Sequence, residues 1–243
     1  MRKKRGRETD ILAKSSEQAF SALVIGASGG IGAAVTQALE NDPQCAHVIA
    51  LSRSRHRLDL TDEDSVAKAA QNIAPGDGFD LLFNAAGILE VDGAGPEKAF
   101  KEIDANTMAK AFAVNTIGAA LAFKYFMPML KRTGRTAFAT LSARVGSIGD
   151  NRLGGWMSYR ASKAALNQIV RCAAIEQSRQ NKESIVVALH PGTIATPLTE
   201  KYAKGRYTAS PEECAQNLLS VLARLSPEQS GGFFDYAGEA VPW

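Results

Sequence analysis

A tyrosine and a lysine four residues apart, Tyr159 and Lys163, are the residues of this chain best suited to acid–base chemistry. Residues with this spacing lie on the same face of a helix, so the phenol and the ammonium would share one site. A free phenol has a pKa of about 10, and a neighbouring ammonium favours the phenolate and moves that pKa toward the working range. The pair predicts a general acid/base for a carbonyl or an alcohol, although the same spacing also occurs on solvated helix faces.

Composition and charge are those of an ordinary globular protein. The chain has 243 residues, of which 45% are hydrophobic and 22% charged, which predicts one well-buried domain over residues 20–243. The net charge of +3 comes entirely from a cluster of five basic residues within residues 1–7, so we expect residues 1–19 to form a basic, disordered tail. This net charge is too small to argue for nucleic acid, so we expect no nucleic-acid partner. A binder led by the tail would instead show strongly salt-dependent binding that disappears when residues 1–7 are removed.

Targeting and metal-binding signals are missing from the sequence. Polar residues interrupt positions 8–17, so no secretory signal follows the basic cluster, and no stretch reaches the roughly 18 apolar residues of a membrane span. We therefore expect a cytoplasmic protein without membrane contact. The cysteines and histidines are few and lack metal-ligand or Cys-x-x-Cys spacing, which predicts reduced cysteines, structural histidines and no metal. They are Cys45, Cys172, Cys214, His47, His56 and His190.

A glycine-rich turn follows the first apolar run of the chain. Residues 21–25 predict a strand, Gly26, Gly30 and Gly32 a turn, and residues 33–39 a helix. Glycines at such a turn let backbone N–H groups approach a pyrophosphate at the positive end of the helix, which indicates a dinucleotide site. The spacing is Gly-x-x-x-Gly-x-Gly rather than the commoner Gly-x-Gly-x-x-Gly, so the turn alone does not decide the function.

The end of the next strand, residues 47–51, bears on the choice of dinucleotide. An NAD(H)-binding chain would have an acidic residue here to hydrogen-bond the ribose 2′-hydroxyl. This chain instead has Ser52, Arg53, Ser54 and Arg55. Guanidinium groups bind phosphate in a bidentate manner, so the sequence favours NADP(H) over NAD(H). The alternative is that these arginines are only exposed loop residues.

The remaining pattern alternates strands and helices, which predicts a single α/β domain, a Rossmann-like doubly wound parallel sheet of about seven strands with helices on both faces. Thr61 is the expected N-cap of a helix, and a long helix over residues 107–130 would carry Asn115. Ser142 follows a strand at the sheet edge where open α/β sheets bind ligands. The expected strands are residues 21–25, 47–51, 58–60, 79–83, 135–141, 185–189 and 232–235.

Taken together and in order, these motifs resemble those of the short-chain dehydrogenase/reductase family. The resemblance covers roughly residues 20–243 and is nearest to the C-factor and sniffer-type carbonyl reductase branch. The matching positions are Gly26-x-x-x-Gly30-x-Gly32, Asp59, Asn84-Ala-Ala-Gly87, Asn115, Ser142, Tyr159-x-x-x-Lys163 and Pro191-Gly192 through Thr196.

The resemblance implies a role for each catalytic residue. Ser142 would hydrogen-bond the substrate oxygen, Tyr159 would give it a proton or remove one, and Lys163 would hold the nicotinamide ribose and stabilise the phenolate. Asn115 would hold a water that connects Lys163 to solvent. The cofactor-binding set implied in this way, to which Tyr159 and Lys163 also belong, is Gly26, Ser28, Gly30, Ile31, Gly32, Asp59, Leu60, Asn84, Ala85, Ala86, Gly87, Pro191, Gly192, Ile194 and Thr196.

The chain departs from the family pattern at several positions. Ile25 and Ala85 replace a usual Thr and Asn, and Gly29 stands where many NADP-using members have a basic residue, so the NADP(H) argument rests on Arg53 and Arg55. An insertion at residues 148–155, together with Trp156 and Met157, would form one wall of the substrate cleft, and a basic segment at residues 198–208 would form the other.

The sequence thus predicts an NADP(H)-dependent oxidoreductase that acts on a carbonyl or secondary alcohol. By resemblance to the family, it would be a homodimer or homotetramer. The alternative is an NADP(H)-binding sensor or signalling protein on the same fold, with little turnover.

Overall fold

The structure, a computed structural model, describes residues 19–74 and 76–243. The basic tail predicted for residues 1–19 therefore falls, except for its last residue, outside the described part of the chain. Within that part, no helix is both long enough and apolar enough to span a membrane.

The described residues form one sheet of six parallel strands, in the order β2-β1-β3-β4-β5-β6. Strands β1, β3, β4 and β5 are buried along almost their whole length, because helices cover both faces of the sheet. This confirms the predicted Rossmann-like α/β fold, with six strands in place of about seven. The strands are β1 (Phe20–Ile25), β2 (Cys45–Leu51), β3 (Leu81–Asn84), β4 (Thr136–Leu141), β5 (Ser184–His190) and β6 (Phe233–Asp235).

The strand predicted at residues 58–60 is wrong. Leu58 and Leu60 are buried in the core, which explains the alternating pattern, but the segment does not pair with the sheet. The Asp59 carboxylate instead accepts hydrogen bonds from the backbone N–H and the hydroxyl of Thr61, at 2.9 and 2.7 Å, and so closes a local turn. Because the Thr61 hydroxyl is used in this turn, Asp62 and not Thr61 is the N-cap of the helix that follows.

The helices pack in two layers, one on each face of the sheet. Residues of α1 and α8 share one hydrophobic cluster with the sheet, and residues of α3, α5 and α6 share the other. The α-helices are α1 (Gly30–Glu40), α2 (Arg53–His56), α3 (Glu63–Gln71), α4 (Ala105–Phe112), α5 (Gly118–Phe126), α6 (Met157–Gln180), α7 (Glu200–Ala203) and α8 (Pro211–Arg224).

The long helix expected over residues 107–130 is helical throughout most of this range, but its hydrogen-bonding pattern changes along the chain. A π-helical turn, Ala113–Ile117, separates α4 from α5, and a 3₁₀ turn, Met127–Met129, follows α5. Asn115 lies inside the π-turn. A π-turn inserted into an α-helix is rare and is frequently found at functional sites.

Candidate active site

Helix α6 carries both Tyr159 and Lys163 near its N-terminal end, at the carboxyl edge of the sheet. The Lys163 side chain is buried, and its Nζ lies 5.9 Å from the centre of the Tyr159 ring. Burial lowers the pKa of Lys163 to about 8 and raises the pKa of Tyr159 above its ordinary value. The sequence predicted a lowered phenol pKa, but desolvation of the phenolate outweighs an ammonium at this distance.

Ser142 follows strand β4 directly and lies beside the two residues of α6. Its backbone N–H donates to the carbonyl of Leu189 on the neighbouring strand, at 2.8 Å, which extends the sheet by one bond. Its side chain is buried, and its Oγ donates a hydrogen bond of 2.6 Å to Oδ1 of Asn167 on α6.

The side-chain amide of Asn115 forms three hydrogen bonds with neighbouring groups. Its Oδ1 accepts from the backbone N–H of Ile88 at 2.8 Å, and its Nδ2 donates to the carbonyl of the same residue at 2.9 Å. Nδ2 also donates to Ser162 Oγ on α6, at 3.1 Å. The side chain therefore joins three elements, the segment after β3, the π-turn and the helix that carries Tyr159.

One cavity of about 340 Å³ brings most of the predicted residues together outside the strand ends. The predicted residues on its wall come from the glycine turn, the segment after β3, the end of β4, α6 and the segment after β5. They are Ser28, Gly30, Ile31, Gly32, Ala85, Ala86, Gly87, Ser142, Tyr159, Lys163, Pro191, Gly192, Ile194 and Thr196.

A second cavity of about 370 Å³ adjoins the first and shares the glycine turn and the segment after β3 with it. Gly26, Arg53, Asp59 and Leu60 line this second cavity. A third cavity, of about 490 Å³, has Arg55 on its wall together with Ser28 and Ser54. Asn84 is buried, and its Oδ1 accepts from the Ala86 N–H at 3.1 Å, which shapes the segment that lines the first two cavities.

The glycine turn is packed so closely that side chains would not fit. Gly26 has φ +80°, and a Cβ there would lie 2.8 Å from the backbone nitrogen of Ala86. A Cβ on Gly32 would lie 2.2 Å from the carbonyl oxygen of Gly26. The N-cap of α1 is Gly29, which provides no side-chain hydrogen bond, so the first N–H groups of the helix remain available to a phosphate.

The arginines of the sequence Ser52-Arg-Ser-Arg55 lie on a single helical turn, α2, rather than on an open loop. The Ser52 side chain is the N-cap of this turn and accepts from the Arg55 N–H at 3.3 Å. Both arginines are exposed, Arg53 on the wall of the second cavity and Arg55 on that of the third.

The two expected walls of the cleft meet through aromatic contacts. The Trp156 ring lies edge-on to Tyr159 and to Tyr202 of the basic segment, with ring centres 6.3 and 5.4 Å apart. The Tyr202 hydroxyl donates to Glu90 at 2.7 Å, and Lys201 forms an ion pair with the same carboxylate at 2.8 Å. The segment that contains α7 is thus fastened to the segment after β3.

Sequence reasoning missed Glu97, a buried acidic residue that caps the helix of Tyr159. Its carboxylate accepts from the N–H of Ser158, at 3.2 Å, and from the Ser158 hydroxyl. Its backbone carbonyl accepts from the N–H of Trp156 at 2.5 Å. Trp156, the N-cap position, has a positive φ of 54° and offers no side-chain hydrogen bond, so Glu97 takes over that role. No sequence pattern connects Glu97 with residues about 60 positions away.

Two further residues at the site were not singled out as functional. His190 ends β5 and lines the first cavity, and burial lowers its pKa to about 4. The histidine was expected to be structural, and its Nδ1 is buried without a hydrogen-bond partner among the described residues. Asn167, which holds Ser142, follows Lys163 by four residues and Tyr159 by eight, a spacing that was readable in the sequence.

Comparison with known proteins identifies the family that the chain resembles. The model of a family described as short chain dehydrogenase matches residues 21–206. The C-signal protein of Myxococcus xanthus is 33% identical over 174 residues, which are 72% of this chain and 98% of that protein.

Two solved structures have the same fold over nearly the whole chain. The NADPH-bound carbonyl reductase from chicken fatty liver is 27% identical, with a TM-score of 0.82, and the match covers 97% of this chain and 98% of that one. Carbonyl reductase Sniffer of D. melanogaster is 24% identical, with a TM-score of 0.80, and the match covers 93% of this chain and 100% of that one. The C-signal relative confirms the predicted likeness to the C-factor branch, and the Sniffer structure shows the same fold. The chain belongs to the short-chain dehydrogenase/reductase family.

Proposed function

We propose that the protein is an NADP(H)-dependent oxidoreductase that transfers hydride between nicotinamide and a carbonyl or secondary alcohol. The observation that carries this proposal is the meeting of Ser142, Tyr159 and Lys163 on one cavity. That cavity also contains the glycine turn and the uncapped N-terminus of α1. Acid–base residues and a phosphate-binding turn on the wall of one cavity suit a dinucleotide-dependent reaction on an oxygen atom.

The proposed cofactor is NADP(H), and the chain fits it in several places. The glycine turn and Ser28 would hold the pyrophosphate, Asp59 and Leu60 the adenine, and the segment from Asn84 to Gly87 the adenosine ribose. The segment from Pro191 to Thr196, with Ile194, would hold the nicotinamide, and Arg53 and Arg55 the 2′-phosphate. The likeness to a carbonyl reductase solved with NADPH supports this assignment. When bound, the nicotinamide supplies or accepts the hydride.

The residues of the chain position the substrate and move a proton. Ser142 Oγ would hydrogen-bond the substrate oxygen, and the Tyr159 phenol would donate a proton to it during reduction. Lys163 would hold the nicotinamide ribose, and Asn115 would hold a water that connects Lys163 to solvent. Because burial raises the pKa of Tyr159, the phenol is protonated at neutral pH, which is the form that a reduction requires.

We propose a small-molecule carbonyl or alcohol as the substrate, a homodimer or homotetramer as the assembly, and the cytoplasm as the location. A second function, an NADP(H)-binding sensor with little turnover, is favoured by the 33% identity to the C-signal protein. A pure sensor, however, has no need of Ser142, Tyr159 and Lys163 at one cavity.

The test is NADPH oxidation, followed by absorbance, over a panel of aldehydes, ketones and quinones. We expect turnover in the wild type and its loss in Tyr159→Phe, with NADPH preferred over NADH. Tyr125→Phe is the matched control and should keep wild-type turnover, because the Tyr125 hydroxyl donates to the exposed Glu63 and Tyr125 does not line the cavity. Tight NADPH binding without turnover on any carbonyl would instead support the sensor.

A further inference from the structure

Asn167 is a buried polar residue of α6 that lies one helical turn beyond Lys163. Only 3% of its surface is exposed. Its Oδ1 lies 2.6 Å from Ser142 Oγ, and its Nδ2 lies 3.4 Å from the carbonyl oxygen of Gly146. The side chain thus stands between Ser142 and the 3₁₀ turn, Arg144–Gly146, that follows it.

The backbone fixes which end of the Asn167 amide faces Ser142. A carbonyl oxygen only accepts hydrogen bonds, so the end that faces Gly146 must be the NH₂ group. The amide oxygen then faces Ser142. The turn of Gly146 lies directly against α6, because a Cβ on Gly146 would lie 2.8 Å from Lys163 Cβ and 2.9 Å from the Lys163 carbonyl carbon.

This orientation decides where the Ser142 proton points. A serine hydroxyl has one proton, and the amide oxygen of Asn167 can only accept it. Their separation of 2.6 Å is within the normal range for an O–H···O hydrogen bond. In this state the hydroxyl directs its lone pairs, and not its proton, toward other neighbours.

We propose that Asn167 is a positioning residue for Ser142. It holds the serine in one rotamer at the wall of the cavity. Its amide oxygen accepts the hydrogen bond of the serine hydroxyl until a substrate oxygen accepts that hydrogen bond instead. The inference rests on the proposed function, in which Ser142 hydrogen-bonds the substrate oxygen. Tyr159, Lys163 and Asn167 form one row on α6 at intervals of four residues. Lys163 donates to the carbonyl of Leu141, the last residue of β4, and Asn167 accepts from the side chain of Ser142, which follows it.

The first test does not depend on activity. A crystal structure of Asn167→Ala should have Ser142 Oγ in a different rotamer or divided between two. The matched control is Asn181→Ala at the C-cap of the same helix, where the Asn181 amide donates to the carbonyls of Lys131 at 3.3 Å and Gly134 at 2.9 Å. That variant also loses a buried amide, and should lower Tm while Ser142 stays in place. An unmoved Ser142 Oγ in Asn167→Ala would overturn the proposal.

The second test is a double-mutant cycle in kcat. Asn167→Ala should lower kcat about fivefold to tenfold, the effect of one hydrogen bond, with the KM for NADPH unchanged. In the Ser142→Ala background the same substitution should lower kcat no further. A purely structural role would lower kcat by the same factor in both backgrounds and would also overturn the proposal. Asn181→Ala should keep the wild-type kcat.

An error in the proposed function would give results different from those that overturn the positioning role of Asn167. If the wild type has no carbonyl turnover, or if Ser142→Ala keeps it, the proposed role of Ser142 fails. The Ser142 rotamer in the Asn167→Ala crystal structure then decides alone whether Asn167 positions the serine.

Discussion

The Lys163 ammonium donates a hydrogen bond of 3.0 Å to the carbonyl oxygen of Leu141. This bond joins helix α6 to the last residue of β4, one position before Ser142. A Cβ on Gly87 would lie 3.1 Å from the Lys163 nitrogen, so the glycine leaves the room that the ammonium occupies. The lysine is therefore fixed by the backbone around it at 3% exposure, where burial lowers its pKa to about 8.

This burial predicts a pH dependence of stability. The pKa of Lys163 falls from 10.5 to about 8 on folding, so between these values this residue is more protonated in the unfolded chain than in the folded one. The contribution of Lys163 to the free energy of unfolding then rises with pH through that window, by about 1 kcal/mol between pH 8 and 9. Lys163→Met should abolish it, which urea unfolding at the two pH values would measure.

The control for this prediction is Lys182→Met, which removes an exposed lysine just after the same helix and should keep the wild-type pH dependence. If the stability difference between the wild type and Lys163→Met stays constant from pH 8 to 9, the ammonium is not held in a desolvated site.

The arginines of α2 predict the cofactor preference. Arg53→Gln and Arg55→Gln should each raise the KM for NADPH about tenfold, because each removes a charge-assisted hydrogen bond to the 2′-phosphate. The KM for NADH, which lacks that phosphate, should not change. Lys68→Gln, which removes an exposed charge from the neighbouring α3, should affect neither cofactor. An equal rise for both cofactors would contradict a 2′-phosphate role.

Glu97 predicts a coupling between helix capping and activity. Glu97→Ala removes the carboxylate that caps α6 and leaves the buried Ser158 hydroxyl without that partner. We expect a loss of about 1 to 3 kcal/mol in the free energy of unfolding, and a lower kcat because Tyr159 follows Ser158 directly. Glu102→Ala is the control, since Glu102 caps only an exposed turn at Lys98. Unchanged stability in Glu97→Ala would refute the capping role.

The local motifs were readable from the sequence because each carries its own physical signal. An apolar run followed by glycines predicted β1, the turn and α1, and the four-residue interval predicted that Tyr159 and Lys163 share one face of a helix. The strand at residues 58–60 failed because two buried leucines imitate the alternation of a strand, whereas Asp59 closes a turn with Thr61.

Other features depend on contacts that no local pattern contains. The π-turn forms where Asn115 pairs with the backbone of Ile88, 27 residues away. Glu97 reaches Ser158 from a segment without periodicity. Asn167 had a readable spacing, but its contact with Ser142 follows only from the way α6 packs beside β4.

The most direct test of the account is the fate of deuterium that replaces both hydrogens on nicotinamide C4 of NADPH. Incubation of the protein with the deuterated cofactor and a carbonyl substrate should give an alcohol with one deuterium on the carbinol carbon, and Tyr159→Phe should give almost none. An alcohol product without deuterium, or NADPH oxidation that continues undiminished in Tyr159→Phe, would contradict hydride transfer with Tyr159 as the proton donor.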